Sequence, residues 1–189
     1  MASPTLPHSF HRVAVLGSGV MGSAIACHLA QTGHDVLLLD LPSKEGPRNA
    51  MADAALKACI KSKPSPLYRK AFANRITTGN FEDDMHRIAS CDWIIEVVVE
   101  RLDIKQIVFA QVEEHRKPGT PITSNTSGIP IGDLAEGRSE DFQACFCGTH
   151  FFNPPRYLAL LEIIPHGGSD PALIDFFMAY GRDRLGKTT

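Results

Sequence analysis

The chain has 189 residues, is 43% hydrophobic and 21% charged, and carries a formal net charge of −2. That length points to one domain of about 150 residues or somewhat more. Near-neutral charge argues against a nucleic-acid or membrane surface as the main partner. No apolar run approaches the roughly 18 residues of a membrane span, which argues against membrane insertion. Five scattered cysteines form no disulfide framework and fit a reducing, cytoplasmic setting.

Residues 1–11 lack the apolar core of a secretory signal and read as a disordered lead-in to a domain over 12–189. Val13 to Leu16 is an apolar run of strand length. Gly17, Gly19 and Gly22 follow in the spacing G-x-G-x-x-G, with Ser18, Val20 and Met21 between them. A helical pattern runs to a stop at Gly33, and a second apolar run, Val36 to Leu39, ends on Asp40. A strand, glycine turn, helix, strand and acid within about 30 residues is the dinucleotide-binding signature. Gly17 permits the tight turn, Gly19 lets a pyrophosphate approach the backbone, and Gly22 lets the helix lie close on the sheet. Free N–H groups and the positive dipole end then face the phosphates. Asp40 accepts from the ribose hydroxyls and repels a 2′-phosphate. The next residues are Leu41, Pro42 and Ser43 with no Arg, so the expected cofactor is NAD.

Asn49 to Lys63 reads as a helix stopped by Pro64, with Lys57, Lys61 and Lys63 near its end. Those lysines read as a solvated face; the rival reading is a landing point for the phosphates of a large substrate. Leu67 to Ala73 reads as a helical turn, Arg75 to Thr78 as a short β run, and Phe81 to Ala89 as a short helix. Cys91 to Val99 is a buried strand interrupted by Glu96 and closed by Glu100. Asp103 and Gln106 have capping-box spacing at the start of a helix to Arg116. Pro121 to Ser124 is a strand followed by the polar loop Asn125 to Gly128. Glu100 and Asn125 to Ser127 therefore sit where ligands collect in a parallel sheet.

Ile131 to Ala135 and Asp141 to Ala144 read as short helices, Phe146 to Phe152 and Leu158 to Ile164 as strands. Asp170 and Pro171 open a last helix to about Leu185. Cys145-Phe-Cys147 has no second ligand pair at matching spacing. It reads as one cysteine per face of a short strand, with no metal. His150 and Glu162 each interrupt an apolar strand. If those strands neighbour each other, the carboxylate holds the imidazole, fixes its tautomer and raises its basicity. Such a pair serves either as a general base beside a nicotinamide or as a satisfied core ion pair.

Gly148-Thr-His-Phe-Phe-Asn-Pro154 and Leu160-Leu-Glu-Ile-Ile164, with Ser124-Asn-Thr-Ser127 upstream, closely resemble the L-3-hydroxyacyl-CoA dehydrogenase family. The resemblance runs from about Arg12 to the end. It is strongest to the dehydrogenase part of long bacterial fatty-acid oxidation proteins that also carry an enoyl-CoA hydratase region. It implies a doubly wound, Rossmann-type α/β fold with a mainly parallel sheet and helices on both faces. It implies His150 as catalytic base, Glu162 as its partner, Ser127 on the substrate oxygen and Asn153 in the active-site loop. Glu100 and Lys105 match the family's cofactor-contacting pair and Asp40 its ribose acid. The Lys57 to Lys63 region corresponds loosely to a helix that contacts coenzyme A. The implied reaction passes hydride from an L-3-hydroxyacyl-CoA to NAD in β-oxidation.

The family's helical second domain does not follow, so the expectation is a nucleotide domain cut from a longer protein. Such a domain binds NAD but turns over poorly. It self-associates weakly through apolar surface around Phe151, Phe152 and Ala172 to Leu185. Two rival readings remain: a non-catalytic NAD-binding module, and a β-hydroxyacid dehydrogenase with a lysine base.

Overall fold

Val13 and Val15 point to one face of their strand, Ala14 and Leu16 to the other, and all four are fully buried. A strand buried on both faces needs helices on both sides. The computed structural model, which describes Pro4, Leu6, Pro7 and residues 9–189, has this architecture. Strand β1 (Arg12–Leu16) leads to helix α1 (Val20–Gln31), then β2 (Asp35–Asp40), α2 (Ala50–Lys61) and β3 (Ile76–Asn80). After these come β4 (Trp93–Glu96), α3 (Leu102–His115), β5 (Ile122–Ser124), α4 (Ile131–Ala135) and α5 (Glu140–Ala144). The chain closes with β6 (Phe146–Phe151), β7 (Leu161–Ile164) and α6 (Pro171–Asp183).

The sheet order is β3-β2-β1-β4-β5-β6-β7. Strands β1 to β6 run parallel and β7 runs antiparallel to β6. The winding direction reverses between β1 and β4, which opens a crevice at the carboxyl ends of those strands. One face packs Val13, Val15, Val36, Leu38 and Trp93 under α1 and α6. The other packs Ala14, Leu16, Leu37 and Ile94 under α3 and the two short helices.

Several elements differ from expectation. Phe10, placed in the lead-in, is 3% exposed and packs on Trp93, Phe176, Phe177 and Tyr180. The His11 and Arg12 amides donate to Asp92 Oδ2 at 2.8 and 2.9 Å, which pins the chain there. Met1, Ala2, Ser3, Thr5 and His8 lie outside the described residues. The strand expected over Cys91 to Val99 is shorter, Trp93–Glu96. The Val98 amide donates to the Glu96 side chain at 2.7 Å, which turns the chain out of the sheet. Helix α3 starts one residue before Asp103, with Arg101 at the cap position and no side-chain cap. The Asp103 carboxylate binds Arg101 instead, at 2.6 and 3.1 Å.

The segments over Leu67 to Ala73 and Phe81 to Ala89 settle as 3-10 turns at Lys70–Arg75 and Met85–Ser90. Cys145 closes α5 and Cys147 lies in β6. Only Cys147 is a strand residue, so the pair does not divide between the faces of one strand. Phe151, Leu173, Phe177 and Tyr180 are buried. The apolar surface expected around Phe151 and the last helix is thus mostly core, because α6 lays its apolar side on the sheet. The Asp170 cap is as expected: its carboxylate accepts from the Ala172 amide at 2.8 Å, with Pro171 next.

Candidate active site

The nucleotide turn is built by close backbone approach. A Cβ on Gly17 would meet Val97 O at 2.6 Å, and one on Gly22 would meet Gly17 O at 1.8 Å. Gly17 also has φ +106°, which a side chain disfavours. A Cβ on Gly19 would meet nothing within 4 Å, so that surface faces open space. Gly19 caps α1 without a side-chain bond, leaving the first amides of the helix, beginning at Val20, for an anion. Val20 is 76% exposed at this edge. Ser23 Oγ donates to Ser18 O at 2.6 Å and stiffens the turn.

Asp40 ends β2 beside this turn. Its Oδ2 accepts from Ser18 N and Ser18 Oγ at 2.6 and 2.5 Å, and its Oδ1 from Leu41 N at 2.7 Å. A carboxylate offers about four lone-pair sites, so about one remains, and rotation of the Ser18 hydroxyl frees another. Two acceptor sites suit a ribose diol. The open cradle at Gly19, the uncapped helix and this acid together fit an adenine dinucleotide.

Across the crevice, Glu96 and Lys105 form an ion pair at 2.7 Å with side chains 0% and 1% exposed. Glu96 also accepts from Val98 N at 2.7 Å and Ser124 Oγ at 2.5 Å. Burial pushes the Glu96 carboxyl above its ordinary range, against the pull of Lys105 and these donors. Lys105 reaches Glu100 Oε2 at 3.3 Å as well. Glu100 Oε1 accepts from Thr126 Oγ1 at 2.5 Å and from the Ser127 and Gly128 amides at 3.0 Å each. Burial opposes its ionisation, but these donors and Lys105 outweigh it and hold Glu100 at about 2. Glu100 therefore ties the loop after β4 to the loop after β5, and Lys105 acts from beneath.

On β6, His150 lies directly opposite Glu162 of β7 in the antiparallel register. Nδ1 and Oε2 are 2.8 Å apart. The Phe152 ring packs on the imidazole at 4.4 Å between centroids. Asn125 Oδ1 accepts from the Phe151 amide at 2.8 Å, so Asn125 spaces β5 from β6. A cleft of about 510 Å³ is lined by Gly19, Val20, Glu100, Ser127, His150 and Asn153, with Met21, Lys105 and Asn125 also on its wall.

A second cleft of about 520 Å³ joins it at Gly19, Val20 and Asn153 and runs between α1 and α2 past Lys63. Lys61 lies elsewhere, in a groove with Asp53, Ile76 and Thr78, so the two candidate phosphate lysines do not converge. Sequence reasoning missed three contributors. Ser124 binds Glu96, Arg156 donates to the Ser65 and Leu67 carbonyls at 2.7 and 3.1 Å, and Lys187 donates to Pro155 O and Leu158 O. The last two hold the walls of the second cleft, and no local motif announces either. The acid inside an apolar strand was a visible signal for Glu96; its partner nine residues on was not.

The family model for "3-hydroxyacyl-CoA dehydrogenase, NAD binding domain" matches residues 12–189. A "Probable 3-hydroxyacyl-CoA dehydrogenase" of Bacillus subtilis is 50% identical over 93% of this chain and 24% of its own length. A "Putative fatty acid oxidation complex trifunctional enzyme" of Rickettsia felis is 39% identical over 97% of this chain and 26% of its own length. The chain thus spans about a quarter of the length of these curated relatives. The crystal structure of 3-hydroxybutyryl-CoA dehydrogenase from Escherichia coli superposes with a TM-score of 0.80 at 28% identity. That match covers 95% of this chain and 37% of the other. Fold, nucleotide turn and relatives agree, and the chain belongs to the 3-hydroxyacyl-CoA dehydrogenase family, as its NAD-binding domain.

Proposed function

We propose that this domain serves the NAD-dependent oxidation of an L-3-hydroxyacyl-CoA to the 3-ketoacyl-CoA in fatty-acid β-oxidation, with His150 as general base. The observation that carries this reading is the His150–Glu162 pair at 2.8 Å, on the cleft that begins at the nucleotide turn. An ionised carboxylate only accepts, so a neutral imidazole presents Nδ1–H to Glu162 and keeps the Nε2 lone pair for the substrate. Nε2 removes the hydroxyl proton, and Glu162 stabilises the imidazolium that forms. Ser127 and Asn153, on the same cleft, hold the substrate oxygen. Gly17 to Gly22, Asp40, Glu100 and Asn125 would hold NAD, with Lys105 setting the position of Glu100. NAD, when bound, supplies the hydride acceptor. Lys63, on the second cleft, suits a coenzyme A phosphate.

The relatives' names support the substrate class, and five free cysteines suit the cytoplasm. The test is acetoacetyl-CoA reduction by NADH, followed in the protein carrying this domain. His150→Gln should lower turnover at least about a hundredfold while NADH affinity stays within about twofold. Near-normal turnover would reduce the histidine to a packing role.

A further inference from the structure

We propose that Cys27 and Cys59 are an oxidative modification site, closing to a disulfide by exchange with a low-molecular-weight disulfide such as oxidised glutathione. Cys27 lies on α1 and Cys59 on α2, with their sulfurs 4.0 Å apart. A disulfide needs about 2.05 Å, so the sulfurs must approach by about 2 Å.

The five cysteines differ sharply in access. Cys27, Cys91, Cys145 and Cys147 are buried, and Cys59 is half-buried on the wall of the cleft between α1 and α2. Burial pushes Cys91 up to about 11 and Cys145 to about 12, and drives Cys147 higher still. The hydrogen bond between the two thiols holds Cys59 below its ordinary value against burial. Thiolate character and access therefore coincide at Cys59. The same hydrogen bond, with burial, keeps Cys27 protonated until it is needed.

The exchange balances in two steps. The Cys59 thiolate attacks one sulfur of the small disulfide, whose S–S bond breaks and releases one thiolate. Cys27 then gives up its proton to that thiolate and attacks Cys59 Sγ, releasing the second small thiolate, which takes up the proton that Cys59 lost to solvent on ionising. Two protein thiols are oxidised and one small disulfide is reduced to two thiols. The bond would tether α1, whose first turn holds the nucleotide loop, to α2. It would narrow the cleft that carries Lys63.

The experiment incubates the folded chain with oxidised glutathione, counts free thiols after denaturation and maps the peptides by mass spectrometry. Two of the five thiols should be lost as a Cys27–Cys59 linkage and recovered with dithiothreitol. Cys59→Ser should keep all its thiols. Cys27→Ala should accumulate a stable glutathione adduct on Cys59. A stable adduct on wild-type Cys59, loss at Cys91, Cys145 or Cys147, or no loss would each overturn the proposal. Cys27 is a core residue, so circular dichroism checks the alanine variant. If that variant does not fold, the wild-type peptide map and Cys59→Ser decide. None of these readouts depends on the proposed reaction.

Discussion

Replacing Lys105 by Met keeps the side-chain stem and removes the charge between two glutamates. Glu100 tolerates the loss, because it keeps three donors and its side chain is 42% exposed. Glu96 does not: it is 0% exposed and retains only Val98 N and Ser124 Oγ. Breaking a buried pair from one side typically destabilises by about 3–5 kcal/mol, because the remaining charge has no compensation. For a domain of this size that is a fall in Tm of roughly 6–20 °C. The variant has a signature in pH. Burial already raises Glu96 above its ordinary 4.5, and losing Lys105 raises it further. A raised folded pKa favours the protonated form, so the deficit is smallest below about pH 4.5 and grows as pH rises from there toward the folded value. Urea unfolding at pH 5 and pH 8 reads this out. The double variant Glu96→Gln/Lys105→Met should recover much of the loss, since it leaves no buried charge. A loss under about 1 kcal/mol, or an equal loss at both pH values, would show that Glu96 is not an uncompensated buried charge and refute the reasoning.

Asp40→Ala should weaken NAD far more than NADP in equilibrium titrations, and equal losses would sink the ribose assignment. Gly19→Ala should leave Tm nearly unchanged, because its Cβ meets no protein atom within 4 Å, yet weaken NADH binding by filling the cradle. Gly22→Ala should lower Tm itself, because its Cβ falls 1.8 Å from Gly17 O; an unchanged Tm would contradict that packing. Glu162→Gln should lower turnover with His150→Gln, and the two losses should be non-additive because the pair acts as one unit. Independent, multiplying losses would argue against the shared role.

What could be read in the residues alone were the features written in short-range pattern. The glycine spacing, the apolar strand runs and the acid at Asp40 all lie within one supersecondary unit, where local pattern dictates geometry. His150 and Glu162 were visible as polar interruptions of apolar strands twelve residues apart, but their meeting depended on β7 turning antiparallel to β6. The capping reading at Asp103 failed by two residues, since the cap position is Arg101, which also takes the Asp103 carboxylate.

The sequence by itself determined the doubly wound class, the nucleotide turn and the two residues of the candidate base pair. Tertiary structure alone decided which charges are paired in the interior and which thiols meet. It also decided that Phe10 and Phe151 are core, and that Lys61 and Lys63 serve different grooves. The physical reason is distance along the chain. Ser18 to Asp40, Cys27 to Cys59 and Arg156 to Ser65 are brought together by strand order and helix packing across the sheet. No local propensity encodes those separations.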